Sequence, residues 1–356
     1  MSKYFLNGLA ITTLACLLMA GCSPSGEKNG ADHGASSGTG DLSQTDPNAI
    51  KGWNAVVDQG PKELKLTWPD GKRFVYEVKI DQTTSAGETS FAAALNSVAA
   101  QSFKYALTTD LDETSGNTIL EMEILSAMVN LEMMGNKLTF DSEKPAPEGS
   151  IDPMYTMLQG LNVLIGEKLT LTYTPEGEVT EVTGLDNMYD KISKALPAQA
   201  APVAQGFIQE DQFKQLASYP FWPDASVKIG ETWKRKYTQV FGTSGAMEVD
   251  NVYTLKAQDQ HDDYPVNVLE YEGAVVADDS QNAEMMGMEM SMSDGKNSGQ
   301  ILVDQTSGFI VHAVANQEMT MNMQLPEAFA SAAPGPLAIK ATLVQTTDLI
   351  DVSDVE

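Results

Sequence analysis

Methionine is the side chain whose spacing in this sequence first suggests chemistry. Met286, Met288, Met290 and Met292 alternate along one segment, and Met319, Met321 and Met323 alternate along another. Alternate residues of a β-strand share a face, so each run is expected to line one side of a sheet. Thioethers can fill an irregular core or line an adaptable apolar groove, and as soft ligands they select Cu(I) or Ag(I). Packing and groove lining predict the same pattern. A metal site would lack the cysteine or nearby histidine that usually supports it, so the seven positions read as an apolar-ligand or soft-metal candidate with no metal assigned.

Other reactive side chains do not assemble into a motif. His33, His261 and His312 are too far apart in sequence for a recognisable ligand set, and none has a visible acid–base partner; each reads as a surface or packing residue. The carboxylates of Asp110-Leu111-Asp112-Glu113, Asp262-Asp263 and Asp278-Asp279 fall where strands should turn. None has the spacing of a calcium loop. Gly34-Ala35-Ser36-Ser37-Gly38 matches the hydrolase elbow, but that motif needs a strand before it and a helix after it, which its polar surroundings do not offer. No catalytic residue and no cofactor is assigned, and the chain reads as non-enzymatic. The alternative, a carboxylate-dependent hydrolase of envelope polymers, would need two carboxylates about 5–9.5 Å apart in a cleft.

Cys22 carries the clearest chemistry. Lys3 and the apolar run Leu9 to Ala20 have the make-up of an export signal, and the run is shorter than the roughly 20 residues that span a bilayer. Leu17-Leu18-Met19-Ala20-Gly21-Cys22 resembles the lipobox of bacterial lipoproteins, with Met19 where Leu is usual. The resemblance implies removal of residues 1–21 and diacylation of the Cys22 thiol. Each buried CH₂ contributes about 0.8 kcal/mol, and stable anchoring takes two or more chains. Ser23, where an Asp would resemble the inner-membrane retention signal, implies an outer-membrane anchor on the periplasmic face. Residues 22–58 then form the lipidated cysteine and a polar tether. Its Ser, Gly, Asp, Asn and Pro cannot offset the entropy of ordering, and as a coil it reaches roughly 30 Å.

Charge and cysteine count narrow the partners. The 49 acidic and 22 basic residues give −27, and loss of residues 1–21, which hold one lysine and no acid, makes this −28. Such a chain repels nucleic acid and anionic head groups. Its expected partners are the membrane, through the lipid, and an apolar small molecule or an envelope protein. Cys16 leaves with the signal and Cys22 carries lipid, so no intramolecular disulfide can form. Stability must come from a packed core, for which roughly 300 residues suffice.

Strand periodicity dominates the remainder. Leu64, Leu66 and Trp68 alternate, Pro69-Asp70-Gly71 reads as a turn, and Phe74, Tyr76, Val78 and Ile80 alternate again, predicting a hairpin. Further strands are expected at 103–111, 118–131, 138–141, 169–182 around Pro175-Glu176-Gly177, 233–240, 247–257, 266–276, 284–292, 300–304, 309–323 and 337–350. Helices are predicted over Leu185 to Leu196, after Pro202, and over the Ala-rich stretch Glu88 to Ala100. Phe221-Trp222-Pro223 and Trp233 read as core anchors.

Glu132-Met133-Met134-Gly135 recurs as Glu284-Met285-Met286-Gly287, and Tyr105-Ala106-Leu107 is echoed by Tyr253-Thr254-Leu255. Leu169-Thr170-Leu171 with Gly177-Glu178-Val179 is echoed by Ile301-Leu302-Val303 with Gly308-Phe309-Ile310, and Ile165-Gly166-Glu167 by Ile229-Gly230-Glu231. The expected fold is mainly β (α+β): two antiparallel, curved units, 59–198 with helices and 199–356, related by internal duplication and joined by a short helical region. The lipobox, tether, hairpin 169–182, Gly184-Leu185-Asp186 and Val227-Lys228-Ile229-Gly230-Glu231-Thr232-Trp233 together resemble an uncharacterised family of secreted bacterial β-rich lipoproteins. That family brings no catalytic residues. In architecture the chain is also similar to Lol-type periplasmic lipoprotein carriers, which implies an apolar face that holds acyl chains, as a binding or envelope-maintenance module would.

Overall fold

Alternation of buried and exposed residues along long strands sets the architecture. A computed structural model describes residues 60–86, 96–133, 136–144, 161–174, 179–196, 221–240, 246–277, 283–285, 288–324 and 337–355, together with Glu210 and Lys214. The first strands are β1 (Lys72–Ser85), β2 (Ser97–Leu111), β3 (Thr118–Met133), β4 (Asn136–Asp141), β5 (Lys168–Tyr173) and β6 (Val179–Thr183). The helix α1 (Leu185–Ala195) follows. Then come β7 (Thr232–Val240), β8 (Ala246–His261), β9 (Tyr264–Ala277), β10 (Ala283–Met285), β11 (Met288–Asp304), β12 (Ile310–Gln324) and β13 (Leu337–Asp354).

All of these strands join one antiparallel sheet in the order β6-β5-β3-β2-β1-β13-β12-β11-β9-β8-β7, with β4 also beside β3 and β10 beside β11. The first and last strands of the chain meet in the middle, from Lys72↔Asp354 to Ser85↔Lys340. The two runs of strands are therefore halves of a continuous sheet, and β6 and β7 are its edges.

The pairing is internally symmetric. Both Glu-Met-Met-Gly copies sit at a two-residue hairpin, closed by Met133↔Asn136 in one and Met285↔Met288 in the other. β4 and β5 share one flank of β3, as β11 runs along β9 and also pairs β10. The Tyr-x-Leu echoes fall on β2 and β8, and the later echoes on β5 and β11. The Ile-Gly-Glu echo is a shared backbone device. Gly166 N–H donates to the Ile124 carbonyl and Ile124 N–H to Glu167, while Gly230 N–H donates to Leu255 and Leu255 N–H to Glu231. Both glycines have positive φ, 78° and 87°, a conformation that costs glycine little.

One face of the sheet is buried. Phe74, Tyr76, Val78 and Ile80 of β1 pack with Leu120, Leu169 and Leu171. On α1, Leu185, Met188 and Ile192 form one stripe, as their helical spacing predicts, and insert into the same cluster. Glu167 holds the helix by accepting hydrogen bonds from Asn187 Nδ2 at 2.8 Å and from Lys191 Nζ. A second cluster joins Leu64, Phe221, Val227, Leu255, Leu269 and Ile301.

Three sequence expectations are corrected. Residues 64–68 do not form a hairpin with β1, because both edges of β1 are taken by β2 and β13. That segment instead crosses the second half, through the Lys62↔Val227 bridge and the Thr67 N–H to the Ser307 carbonyl. The C-terminal part of the expected helix 88–100 is strand, with Ala99 buried between Gln82 and Leu131; ladder pairing overrides alanine's helix propensity. Residues 88–95 lie outside the described residues, as does most of the segment after Pro202, where only the Lys214–Glu210 ion pair is seen. The expected strand 284–292 is divided by the hairpin between β10 and β11.

The entry to α1 is sterically tight. Gly184 has φ 97°, and a Cβ there would lie 2.6 Å from the Lys168 carbonyl oxygen. Gly184→Ala should destabilise the protein by about 1–3 kcal/mol, seen as a lower urea midpoint at unchanged slope; an unchanged midpoint would show that the α1 junction tolerates a side chain.

Candidate ligand site on the buried face

Cross-strand partners lie on one face of an antiparallel sheet, so the register maps that face row by row. One row reads Gln101, Ile80, Gln345, Ala315, Gly299, Tyr271, Tyr253, Trp233 across β2 to β7. A neighbouring row reads Gln82, Leu343, Gln317, Asn297, Gly273, Asn251. Apart from the half-buried Trp233 and the two glycines, these residues are buried. Strand alternation predicts apolar residues here, yet amides take many of the places.

The glycines make room for their neighbours. A Cβ at Gly299 would lie 2.6 Å from Tyr271 Oη and 2.8 Å from its ring, so Tyr271 lies across β11 at that point. A Cβ at Gly273 would strike the Asn251 amide. Asn251 Nδ2 donates to Tyr253 Oη at 3.1 Å and to Tyr237 Oη at 3.4 Å, and Asn297 Nδ2 reaches Tyr237 Oη and Asn251 Oδ1, each at 3.4 Å. Burial holds these phenols neutral. The Tyr253 pKa is pushed up to about 12 by desolvation, against the lowering influence of Asn251 and Arg235, and desolvation also raises Tyr237.

Beside the small residues Ala313 and Ala315 lies a cavity of about 20 Å³, bounded by Phe221, Tyr253, Tyr271, Ile301, Gln345 and Thr347. That is room for about one water-sized group. Its cover is the segment at Phe221 and Trp222. The Trp233 Nε1–H donates to the Phe221 carbonyl at 2.7 Å, and Arg235 binds the Trp222 carbonyl and both carboxylate oxygens of Asp224. Phe221 and Trp233 are thus the packing anchors that the sequence suggested. Gln345 Nε2 reaches Thr347 Oγ1 at 3.4 Å, whereas Gln345 Oε1 is buried without a hydrogen-bond partner.

The methionine runs meet on this same face. The register sets Met290 opposite Met323 and Met323 opposite Leu337, then Met292 opposite Met321 and Met321 opposite Ile339. Leu337 and Ile339 are buried. Met319 is half-buried, packed against the main core and opposite Ala341. Met288 pairs with Met285 at the β10–β11 hairpin, so it continues the β11 row only from that end. Met286 lies outside the described residues, and of the side chains of Met288, Met290, Met292, Met321 and Met323 only the backbone positions are described. Cys22 also lies outside them.

Sequence spacing missed one cluster. His261 at the end of β8 and His312 on β12 stack with ring centroids 5.4 Å apart and planes at 28°. His312 Nδ1 lies 2.7 Å from Asp348 Oδ1 on β13; β12–β13 register, not sequence proximity, makes that contact. Among the described residues, no group of three or more His, Cys, Asp or Glu is placed to hold a metal. The turn carboxylates Asp110, Glu113, Asp262 and Asp263 are exposed. The two buried ones have structural partners: Glu167 binds α1, and Asp304 accepts from Ser307 Oγ and the N–H groups of Thr306 and Ser307.

The chain belongs to a family of unknown function (DUF6263), whose model matches residues 115–310, more than half of the chain. No curated protein matches. Among solved structures, the outer membrane protein Omp33 of Acinetobacter baumannii aligns at 5% identity over 79% of this chain and 100% of its own, with a TM-score of 0.14. The enduracididine biosynthesis enzyme MppR complexed with pyruvate aligns at 10% identity over 82% of this chain and 92% of its own, with a TM-score of 0.12. No helix among the described residues is long and apolar enough to cross a membrane.

The His312 hydrogen bond holds the Asp348 carboxyl below its ordinary range. A depressed folded-state pKa stabilises fully above the unfolded value, near 3.9, and that contribution is lost as pH falls through the folded value. Asp348→Asn should therefore flatten the fall in melting temperature below about pH 4; an unchanged pH profile would show that the His312 contact contributes no stability.

Proposed function

We propose that this protein is a non-enzymatic lipoprotein of the bacterial envelope that holds an apolar ligand against the buried face of its sheet. The observation that carries this reading is the register that sets the methionine positions of β11 opposite those of β12, in the rows that contain the buried Leu337 and Ile339. Adaptable thioethers beside aliphatic residues suit an acyl chain better than a rigid ligand. Cys22 is read as the acylated anchor on the periplasmic face of the outer membrane, with residues 23–58 as its tether. The two halves of the sheet are read as a duplicated unit.

Mass spectrometry of the protein purified from its own host tests both parts of this reading. The polypeptide should have lost residues 1–21 and gained acyl chains at Cys22, and a chain starting at residue 23, purified without detergent, should carry a lipid-sized mass. A bare mass for the second, with no shift of a fluorescent fatty-acid probe, would sink the ligand reading; an unmodified Cys22 would sink the anchor.

The facing of Met290 with Met323 and of Met292 with Met321 favours one second reading, Cu(I) or Ag(I) binding. It predicts that replacing Met290, Met292 and Met321 by leucine abolishes Cu(I) uptake in a bicinchoninate competition assay. Equal uptake by the variant and the parent chain would discard these positions as ligands.

A further inference from the structure

The cavity under Phe221 sits on the same face and the same strands as the methionine positions, and it is chemically distinct from them. It is bounded by aromatic and aliphatic side chains, with polar atoms from Gln345, Thr347 and tyrosines, and no lysine, arginine, aspartate or glutamate borders it. Arg235, the nearest cation in the adjoining row, is taken up by the Trp222 carbonyl and Asp224. The neighbouring buried row is made of amides, which are polar but uncharged. An ionised group brought here would lose its hydration with no counter-charge to replace it. At about 20 Å³ the space takes a group the size of a hydroxyl and excludes a phosphate or a sugar.

The unpartnered Gln345 Oε1, on a residue 4% exposed, adds a direction. A buried carbonyl-type oxygen left without a donor loses its hydration with nothing to replace it, so a donor is what the site lacks. A hydroxyl also satisfies the site if the amide is turned over, since it both donates and accepts. From Gln345, β13 runs through Leu343, Ala341 and Ile339 to Leu337 on the same face, about 26 Å at roughly 3.3 Å per residue. These buried aliphatic side chains lead along the face from the cavity towards the methionine rows.

We propose that the Gln345–Thr347 cavity is the head-group end of the ligand site and selects an uncharged lipid ending in a single hydroxyl, such as a fatty alcohol, over a fatty-acid anion. This assignment rests on the apolar-ligand reading above. It is tested by calorimetric titration of the chain from residue 23, which keeps every described element, with 1-dodecanol, methyl laurate and laurate at pH 8. Dodecanol should bind about tenfold tighter than either of the others. Gln345→Leu should erase that preference, bringing dodecanol and methyl laurate to equal affinity, and Thr347→Val serves as a second, less disruptive probe of the same corner. Equal binding of dodecanol and methyl laurate, or tighter binding of laurate, would overturn the hydroxyl assignment and leave the apolar-ligand reading standing. Binding of none of the three would overturn both.

Discussion

The antiparallel pairing of β1 with β13 is the constraint on which the rest of the structure depends. It joins strands from opposite ends of the folded region, and without it the sheet would separate into two meanders with four edges in place of two. Each new edge would expose a row of unpaired backbone groups, a liability for aggregation. The same pairing brings Gln345 and Thr347 into line with Ile80 and Val78, so the polar corner of the cavity exists only once the chain has closed. Closing so long a loop carries an entropic cost before its contacts form, and a fold built on such non-local pairing is expected to form slowly.

The buried face shows how sequence chemistry is distributed over that frame. At one end lie aromatic side chains, Trp68, Phe74, Tyr173, Phe309 and Tyr264, in a chain of edge-to-face and tilted contacts with centroids 5.0–6.4 Å apart. In the middle lie the amides, of which Asn251 and Asn297 bond to tyrosine hydroxyls and to each other. At the far end lie the methionine positions. Glycines at 273 and 299 make room for Asn251 and Tyr271, because each omits a side chain where that neighbour's passes, and alanines at 313 and 315 border the cavity. A close-packed interior normally leaves little such space, so small residues on facing strands are a specific choice of volume.

Much of the strand pattern was legible in the sequence. Period-two alternation placed β3, β5 to β9, β12, β13 and the later part of β2 within a few residues, and the 3.6-residue spacing of Leu185, Met188 and Ile192 placed α1. The repeated Glu-Met-Met-Gly and Ile-Gly-Glu segments pointed to real backbone devices, a two-residue hairpin and a glycine turn bonded to the adjoining strand. Leu64 to Trp68 misled because alternation reports a strand-like conformation and says nothing of the partner. The stretch ending at Ala100 misled because alanine's helix propensity is weak beside the ladder bonds of β2.

Local chemistry, therefore, was determined by the sequence alone: which residues prefer extended backbone, which face of a strand is apolar, the net charge of −27, and the absence of a cysteine pair for a disulfide within the folded region. Tertiary structure decided everything that depends on register between strands. It set the two methionine runs opposite each other, stacked His261 on His312, placed Asp348 against His312, and stripped Gln345 Oε1 of a partner beside a cavity. The physical reason is that side-chain period is a property of a strand by itself, whereas cross-strand neighbours are chosen by hydrogen bonding between segments whose separation along the chain carries no information about their distance in space.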